Sequence, residues 1–356
     1  MGHWTCNSVH YSMQTKGEYQ DNVPLRFRGE SFHSVSIHTE MRLPIQPLPT
    51  GRAEYDVVGL GLNSIDLYAV FPGPLKINGK QQAKTLVKHP GGQTATALAT
   101  CANLGWRGSY IGHFGEDEHG ELSRSSLIRA GVDVSHSKIV PGATNQFACI
   151  LVDQRTGDRT IIWDRHRGLA MTDADVPLAA VASGRVLLVD CGETRAASKA
   201  AQHAKQVGIP SVIDVERVKP GIEELLNSVD IIIAAEEFPS SLTGEPVLGK
   251  AIRQLASQFN PTLTVVTLGA EGSLALMGGK EIRSPAIRVE AIDTTGAGDA
   301  FRGGFVSSWL ATGSDAEVSE LLKYANVVAG LNCRALGARG GLPTKSEVDN
   351  KLQTLI

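Results

Sequence analysis

Residues 291–305 read AIDTTGAGDAFRGGF. Glycines at 296, 298, 303 and 304 crowd around two acids, Asp293 and Asp299, just where the sequence turns aromatic and helix-like. Known glycine-rich loops can be tested against it. A P-loop needs G-x-x-x-x-G-K-[ST], but the Gly-Lys pairs at 79–80, 249–250 and 279–280 are followed by Gln81, Ala251 and Glu281, which excludes it. A dinucleotide fingerprint needs its third glycine where Phe301 stands, and no H-R-D or D-F-G pair marks a protein kinase.

The physical reading is more specific. Thr295-Gly296-Ala297-Gly298 leaves backbone N–H groups unpaired at the start of a helix, all directed at one spot that favours an anion. Asp299 follows in the first turn, so its carboxylate lies beside that spot. An acid next to an anion hole is what phosphoryl transfer to a hydroxyl requires: the donors take up charge while the acid orients and deprotonates the nucleophile. Gly303 and Gly304 each cost about 1 kcal/mol relative to alanine inside a helix. They are expected where another backbone or a ligand comes close.

Outward from this stretch, short apolar runs ending in glycine alternate with helical segments. YDVVGLGL (55–62) reads as a first buried strand, and LVKHPGGQTATALATCANLGW (86–106) as a polar strand, a Gly-Gly break and a small-residue helix. SYIGHFG reads as one strand, and NQFACILVDQRTGDRTIIWD as a hairpin turning at DQRTGD. RVLLVDCG, PSVIDVE and VDIIIAA each lead into a helix, and TLTVVTLGAEGSLALMGG reads as two antiparallel strands. Alternating βα units mean a mainly parallel sheet covered on both faces, with ligands at the carboxyl ends of its strands. Segments 66–90 and 144–165 are expected to form a small extra sheet.

The whole chain has 356 residues, 42% hydrophobic and 20% charged, with a net charge of -3. That balance gives no electrostatic reason to expect nucleic acid or an anionic membrane as partner. Five scattered cysteines without a C-x-x-C pair argue against a disulfide framework or zinc, and suit a reducing cytoplasm. Residues 1–52 are polar and end proline-rich, the composition of a disordered tail or of sequence upstream of a start at Met41. The folded domain is expected over 53–356.

D-T-T-G-A-G-D-A-F-x-G-G-F closely resembles the C-terminal signature of the ribokinase-like (PfkB-type) sugar kinases. Far upstream, G-G-Q-T-A-T-A-L-A-T-C-A-N-L-G followed by G-x-F-G-E-D-E-H-G is similar to that family's N-terminal signature. The resemblance covers about residues 54–350. It implies a three-layer α/β/α fold with a mainly parallel central sheet, a small β-sheet lid, and ATP-dependent phosphorylation of a small alcohol. By the same resemblance, Asp299 is the catalytic base, and Gly296, Ala297 and Gly298 form the anion hole. Asp66 binds a sugar hydroxyl, and Gly91 and Gly92 let the backbone lie against the sugar. Thr267, Gly269 and Gly272 approach ATP, and Asn326 and Ala329 contact the adenine side. Asp293 and Thr295 match positions that help hold a monovalent cation such as K+.

The chain departs from the family pattern in two places. Gln93 and Thr96 stand where the family has sugar-contacting asparagines, which changes reach while keeping hydrogen-bonding capacity. The N-x-x-E element that organises Mg2+ and phosphates reads Ala234-Ala235-Glu236-Glu237, so Glu237 keeps the acid and the asparagine is lost. Magnesium is still expected with ATP. G-D-R-T-I-I-W-D and I-D-V-E-R faintly resemble ketohexokinase and its bacterial relatives, and Arg165 and His166, in the lid, are placed to touch an acidic substituent. The resemblance thus points to a sugar kinase acting on a ketose or ribose-like sugar. A nucleoside kinase or a non-catalytic sugar-binding relative are the alternatives, and pairing of lids implies a homodimer.

Overall fold

A computed structural model of the protein describes residues 41–156 and 159–355. Of the tail expected over 1–52, residues 1–40 lie outside the described residues, as do Gly157 and Asp158 of the predicted hairpin turn. The chain runs through β1 (Tyr55–Leu60), β2 (Ser64–Phe71), β3 (Thr85–Gly91), α1 (Gln93–Asn103), β4 (Gly108–Ile111), β5 (His113–Gly115) and α2 (Glu118–Arg129). β6 (Lys138–Val140), β7 (Phe147–Asp153), β8 (Arg159–Asp164), α3 (Leu178–Val181), β9 (Gly184–Asp190) and α4 (Thr194–Gln206) follow. Next come β10 (Ser211–Val215), α5 (Ile222–Ser228), β11 (Ile231–Ala235), α6 (Phe238–Thr243) and α7 (Leu248–Phe259). The chain closes with β12 (Leu263–Thr267), β13 (Ser273–Met277), β14 (Lys280–Ser284), α8 (Ala297–Thr312), α9 (Val318–Asn332) and α10 (Lys345–Gln353).

The main sheet has the order β14-β13-β12-β11-β10-β9-β1-β4. Its strands from β12 to β4 run parallel, while β13 and β14 extend it antiparallel. Period-two alternation sorts each parallel strand between two cores: Leu187 and Val189 pack with Ala200, Leu225 and Leu255 of α4, α5 and α7. Val186 and Leu188 pack with Leu98, Phe305 and Leu321 of α1, α8 and α9 on the opposite face. Three layers result, as expected for a buried parallel sheet.

The glycines inside α8 are explained by this packing. A Cβ on Gly303 would lie 2.7 Å from the carbonyl oxygen of Ala97 in α1, and one on Gly304 would lie 2.9 Å from Cβ of Val328 in α9. Another backbone comes close, and no ligand is needed to account for either residue.

Two elements differ from the sequence reading. SYIGHFG is two strands, because the chain bends at Gly112, where a Cβ would lie 2.2 Å from the Tyr110 hydroxyl; β4 joins the main sheet and β5 pairs with β6. Strand β14 was not expected; it returns from β13 through Gly278 and Gly279, both left-handed (φ 55° and 77°), as a tight hairpin requires.

The boundary expected at residue 52 is also corrected. Residues 41–48 run along the domain: Val318 donates its N–H to the Met41 carbonyl at 3.0 Å, Leu43 to Ala316 at 2.9 Å and Leu48 to Arg185 at 3.1 Å. Leu43 is 3% exposed, in the same core as Trp309 and Leu321. Leu43 and Pro47 are buried and Ile45 and Leu48 pack against the two cores, and this burial with the backbone pairing orders the segment.

The smaller sheet has the order β3-β2-β7-β8. Its register places Asp66 opposite Ala148 and Ala148 opposite Trp163; one pair further along, Tyr68, Ile150 and Ile161 are aligned. Directly paired residues point to the same face, so these two rows form one surface over the carboxyl ends of the main strands.

Candidate active site

Helix α8 begins with Gly296 as its N-cap, left-handed at φ 73°, and a Cβ there would lie 2.4 Å from the carbonyl oxygen of Ala338. Both facts require glycine. The amide of Ala297 is closed in a turn to Thr294 at 3.2 Å, while those of Gly298 and Asp299 have no acceptor among the described residues. Of the expected set 296–298, the amides of Gly296 and Gly298 are thus open, that of Asp299 joins them, and only that of Ala297 is spent. Ala297 donates within the turn and has no N–H left for a ligand. The Asp293 carboxylate holds the loop, accepting from the Thr295 amide (2.9 Å), the Thr295 hydroxyl (2.8 Å) and the Gly337 amide (2.8 Å).

Asp299 projects from the first turn of α8 into a cluster of charge. Burial pushes its carboxyl up to about 7, Arg302 one turn along opposes this, and Glu216 and Asp190 push further upward. Asp214, at the end of β10, is raised well above the usual carboxylate range, first by burial, although Arg302 lies 2.7 Å away. Carboxylates crowded in a dry site hold a proton between them, so the two titrate as a pair.

Asp299 lines a cavity of about 430 Å³ between the main sheet and the smaller one, together with Asp66, Gly92, Gln93 and Thr295. Asp66 accepts from the Ser64 hydroxyl at 2.9 Å, and burial raises its carboxyl to about 6. Arg165 and His166 also line the cavity, as do Trp163, Ile150 and Ile161 from the smaller sheet. The Gln93 side chain makes no hydrogen bond among the described residues, so both ends of its amide are open to a ligand.

Two expected sugar contacts are placed elsewhere. Thr96 is fully buried, and its hydroxyl accepts from Nε of Arg339 at 3.1 Å, away from the cavity. Gly91 makes room for Asp66, since a Cβ there would lie 2.2 Å from Asp66 Oδ2, and its carbonyl accepts from Arg339 Nη2 at 2.7 Å.

Residues 55–345 match the model of the pfkB family of carbohydrate kinases. The chain belongs to that family. Among similar proteins, a ribokinase of Bacillus subtilis is 27% identical over 74% of this chain and 87% of its own length. A fructokinase of Klebsiella pneumoniae is 29% identical over 75% of this chain and 93% of its own. The structure of an Arabidopsis thaliana ribokinase complexed with ribose and ATP superposes with a TM-score of 0.74 at 27% identity, covering 84% of this chain and 99% of that one. The protein is an ATP-dependent carbohydrate kinase.

The positions expected at the kinase's nucleotide side lie along β12, β13 and α9. Thr267 ends β12, its hydroxyl 3.4 Å from the Ala234 carbonyl, and Gly269 is left-handed with open space around it. Gly272 is needed for packing: a Cβ would lie 2.1 Å from the Ser284 carbonyl oxygen. Asn326 is buried, and its amide nitrogen donates to the Ser273 hydroxyl (3.1 Å) and the Ser284 carbonyl (3.0 Å), so it fastens α9 to β13 and β14 while its Oδ1 makes no hydrogen bond among the described residues. Ala329 is half-buried against the same core. Glu237 is exposed at the start of α6. No group of three or more His, Cys, Asp or Glu side chains arranged for a metal occurs among the described residues.

Four structural side chains of the kinase escaped the sequence reading. Asp190, ending β9, accepts from the Leu62 amide (2.7 Å), the Thr94 hydroxyl (2.7 Å) and the Gly192 amide (2.8 Å), and so ties β1, α1 and β9 together. Asp214 and Arg302 form the buried pair beside Asp299, and Arg339 joins the 337–341 loop to Gly91 and Thr96. A signal for two of them existed: VLLVD and VIDV carry an acid at or near the carboxyl end of an apolar strand, where ligands collect.

Proposed function

We propose that the kinase transfers the γ-phosphate of ATP to a hydroxyl of a small carbohydrate, a ketose such as fructose or a ribose-like sugar, by direct in-line attack. The observation that carries this reading is the position of Asp299. It stands beside two unbonded first-turn amides and faces the cavity shared with Asp66 and Gln93. Asp66 and Gln93 orient the sugar hydroxyls, Asp299 takes the proton of the attacking one, and the amides of Gly298 and Asp299 meet charge on the transferred group.

Magnesium arriving with ATP supplies charge neutralisation, and Glu237 is the acid nearest in sequence to the family's metal element. A monovalent cation such as K+ belongs beside Asp293 and Thr295, where the loop is already clamped to Gly337. The free thiols Cys101, Cys149, Cys191 and Cys333 suit a reducing cytoplasm. No helix among the described residues is long and apolar enough to cross a membrane. Leu86 and Ile162, 67% and 60% exposed on the outer strands β3 and β8, support pairing of the smaller sheet with that of a second copy.

ADP formation measured with a panel of ketoses, aldoses and nucleosides tests the reading. Turnover with sugars is expected. Turnover confined to nucleosides, or none with any alcohol, overturns it.

A further inference from the structure

The cavity is not uniform in charge. Asp66 and Asp299 are its acids on the side of β2 and α8, and Glu216, just after β10, is the third. Asp66 is aligned with Ala148 and Trp163 across two strand spacings, which puts Trp163 about 10 Å from Asp66. Beyond Trp163 the chain continues through Arg165, His166 and Arg167, and the loop after β10 brings Arg217 and Lys219 to the same cavity.

Pairing separates these cations. Arg165 is bound to Glu193 in a close ion pair and donates to the Leu169 carbonyl at 2.9 Å. Glu193 in turn accepts from the Met171 amide at 3.0 Å, so segment 165–171 is fastened to the end of β9. Arg217 lies 3.3 Å from Glu216. The side chains of Arg167 and Lys219 have neither ion pair nor hydrogen bond among the described residues. His166 accepts the Gly168 amide on Nδ1 at 3.1 Å, which leaves Nε2 as its donor.

A neutral sugar offers these groups nothing that water does not. A free arginine on the loop held by Arg165 and Glu193, and a free lysine on the loop after β10, line one cavity with the apolar surface of Ile150, Ile161 and Trp163, a combination that matches an oxyanion. We propose that the acceptor is a small carbohydrate bearing one anionic group, a carboxylate or a phosphate. Arg167 and Lys219 bind that group, His166 Nε2 assists, and the opposite end of the molecule lies at Asp66 and Asp299. This rests on the kinase reading above and names its substrate class.

Three acceptors of one skeleton test it: D-fructose, D-fructose 6-phosphate and 2-keto-D-gluconate, each in ADP-forming assays and in calorimetric titrations without ATP. One or both anionic sugars should exceed fructose in kcat/KM by at least about tenfold, with binding that weakens as salt rises. R167Q and K219Q should each raise the KM of the anionic acceptor about tenfold while the KM of ATP moves less than about twofold. Equal use of fructose, or variants that raise the KM of ATP instead, would overturn the proposal and assign these cations to the donor phosphates. Absence of turnover with all three would count against the kinase reading alone. Calorimetry would then still decide the subsite: tighter binding of an anionic sugar, lost in R167Q, supports it, and equal or absent binding rejects it.

Discussion

Arg302 Nη2 lies 2.7 Å from Asp214 Oδ1, with the two side chains 4% and 3% exposed. The pair spans the junction between β10 and α8, directly behind Asp299. Removing one member leaves a charge buried without its partner, which costs far more than the pair itself contributes. Arg302→Met is therefore expected to destabilise the protein by about 3–5 kcal/mol in urea unfolding. Adding Asp214→Asn should recover a substantial part of that loss. A single-variant change below about 1 kcal/mol would show that the pair is not structurally coupled.

The raised carboxyls of Asp66 and Asp299 give activity and stability opposite pH dependences. As a base, Asp299 works only when deprotonated, so kcat/KM should rise with pH through about 7. Stability runs the other way. Both acids bind their protons more tightly folded than unfolded, where aspartate titrates near about 3.9. Their contribution is full below that value and is lost as pH climbs through about 6 and about 7. Parallel pH profiles of kcat/KM and of the urea midpoint should cross in this sense; an activity profile flat from pH 5 to 8 would refute the assignment of the base.

Asp299→Asn preserves size and most hydrogen bonding and removes proton acceptance. A fall in kcat of roughly 10²–10⁴-fold is expected, with ATP affinity by calorimetry changed less than about tenfold. Near-normal turnover would mean that the α8 start only cradles phosphate.

Gln93 and Thr96 should separate cleanly, although both occupy positions of sugar-binding asparagines in relatives. Gln93→Ala removes a side chain open to the cavity and should raise the acceptor's KM several-fold with little change in melting temperature. Thr96→Val removes the acceptor of Arg339 Nε and leaves a buried donor unpaired, a cost of about 1–3 kcal/mol. Its signature is a lowered melting temperature. The reverse pattern would restore Thr96 to the sugar site.

Leu43 anchors the segment ahead of β1. Leu43→Ala should cost about 2–3 kcal/mol, toward the low end for a buried leucine because the segment lies at the edge of the core. Removal of residues 41–52 should cost at least as much, since three backbone hydrogen bonds go with it. Unchanged unfolding midpoints for both would mean that the segment is bound too weakly to matter.

Much of this was legible in the sequence because local rules and global fold agree. Apolar runs ending in glycine gave the parallel strands, and the GAGD junction gave the start of α8. What escaped was set by tertiary packing. Nothing local distinguishes Asn326 as a fastener of β13 and β14 from an adenine contact, or Gly91 as space for Asp66 from space for a sugar. Arg302 and Arg339 carry no local sign of their partners, which only the packing around them supplies. The short segment at 41–48 misled for the same reason: its few apolar residues each find a place against the folded domain.

Helix α8 has no slack. With bare backbone at Gly303 against α1 and at Gly304 against α9, it is wedged between the helix that starts at Gln93 and the helix that carries Asn326. Any slide of its N-terminus would collide with the Ala97 carbonyl on one side or with Val328 on the other. The floor of the cavity thus behaves as one rigid plate holding the places of donor and acceptor at a fixed spacing. Whatever motion brings reactants into line and expels water must come from the roof, the four-stranded sheet whose β8 edge is exposed and tied down by Arg159 to the Thr294 hydroxyl (2.6 Å) and, just beyond it, by Arg165 to Glu193. Those two arginines are the latches on which opening and closing would turn.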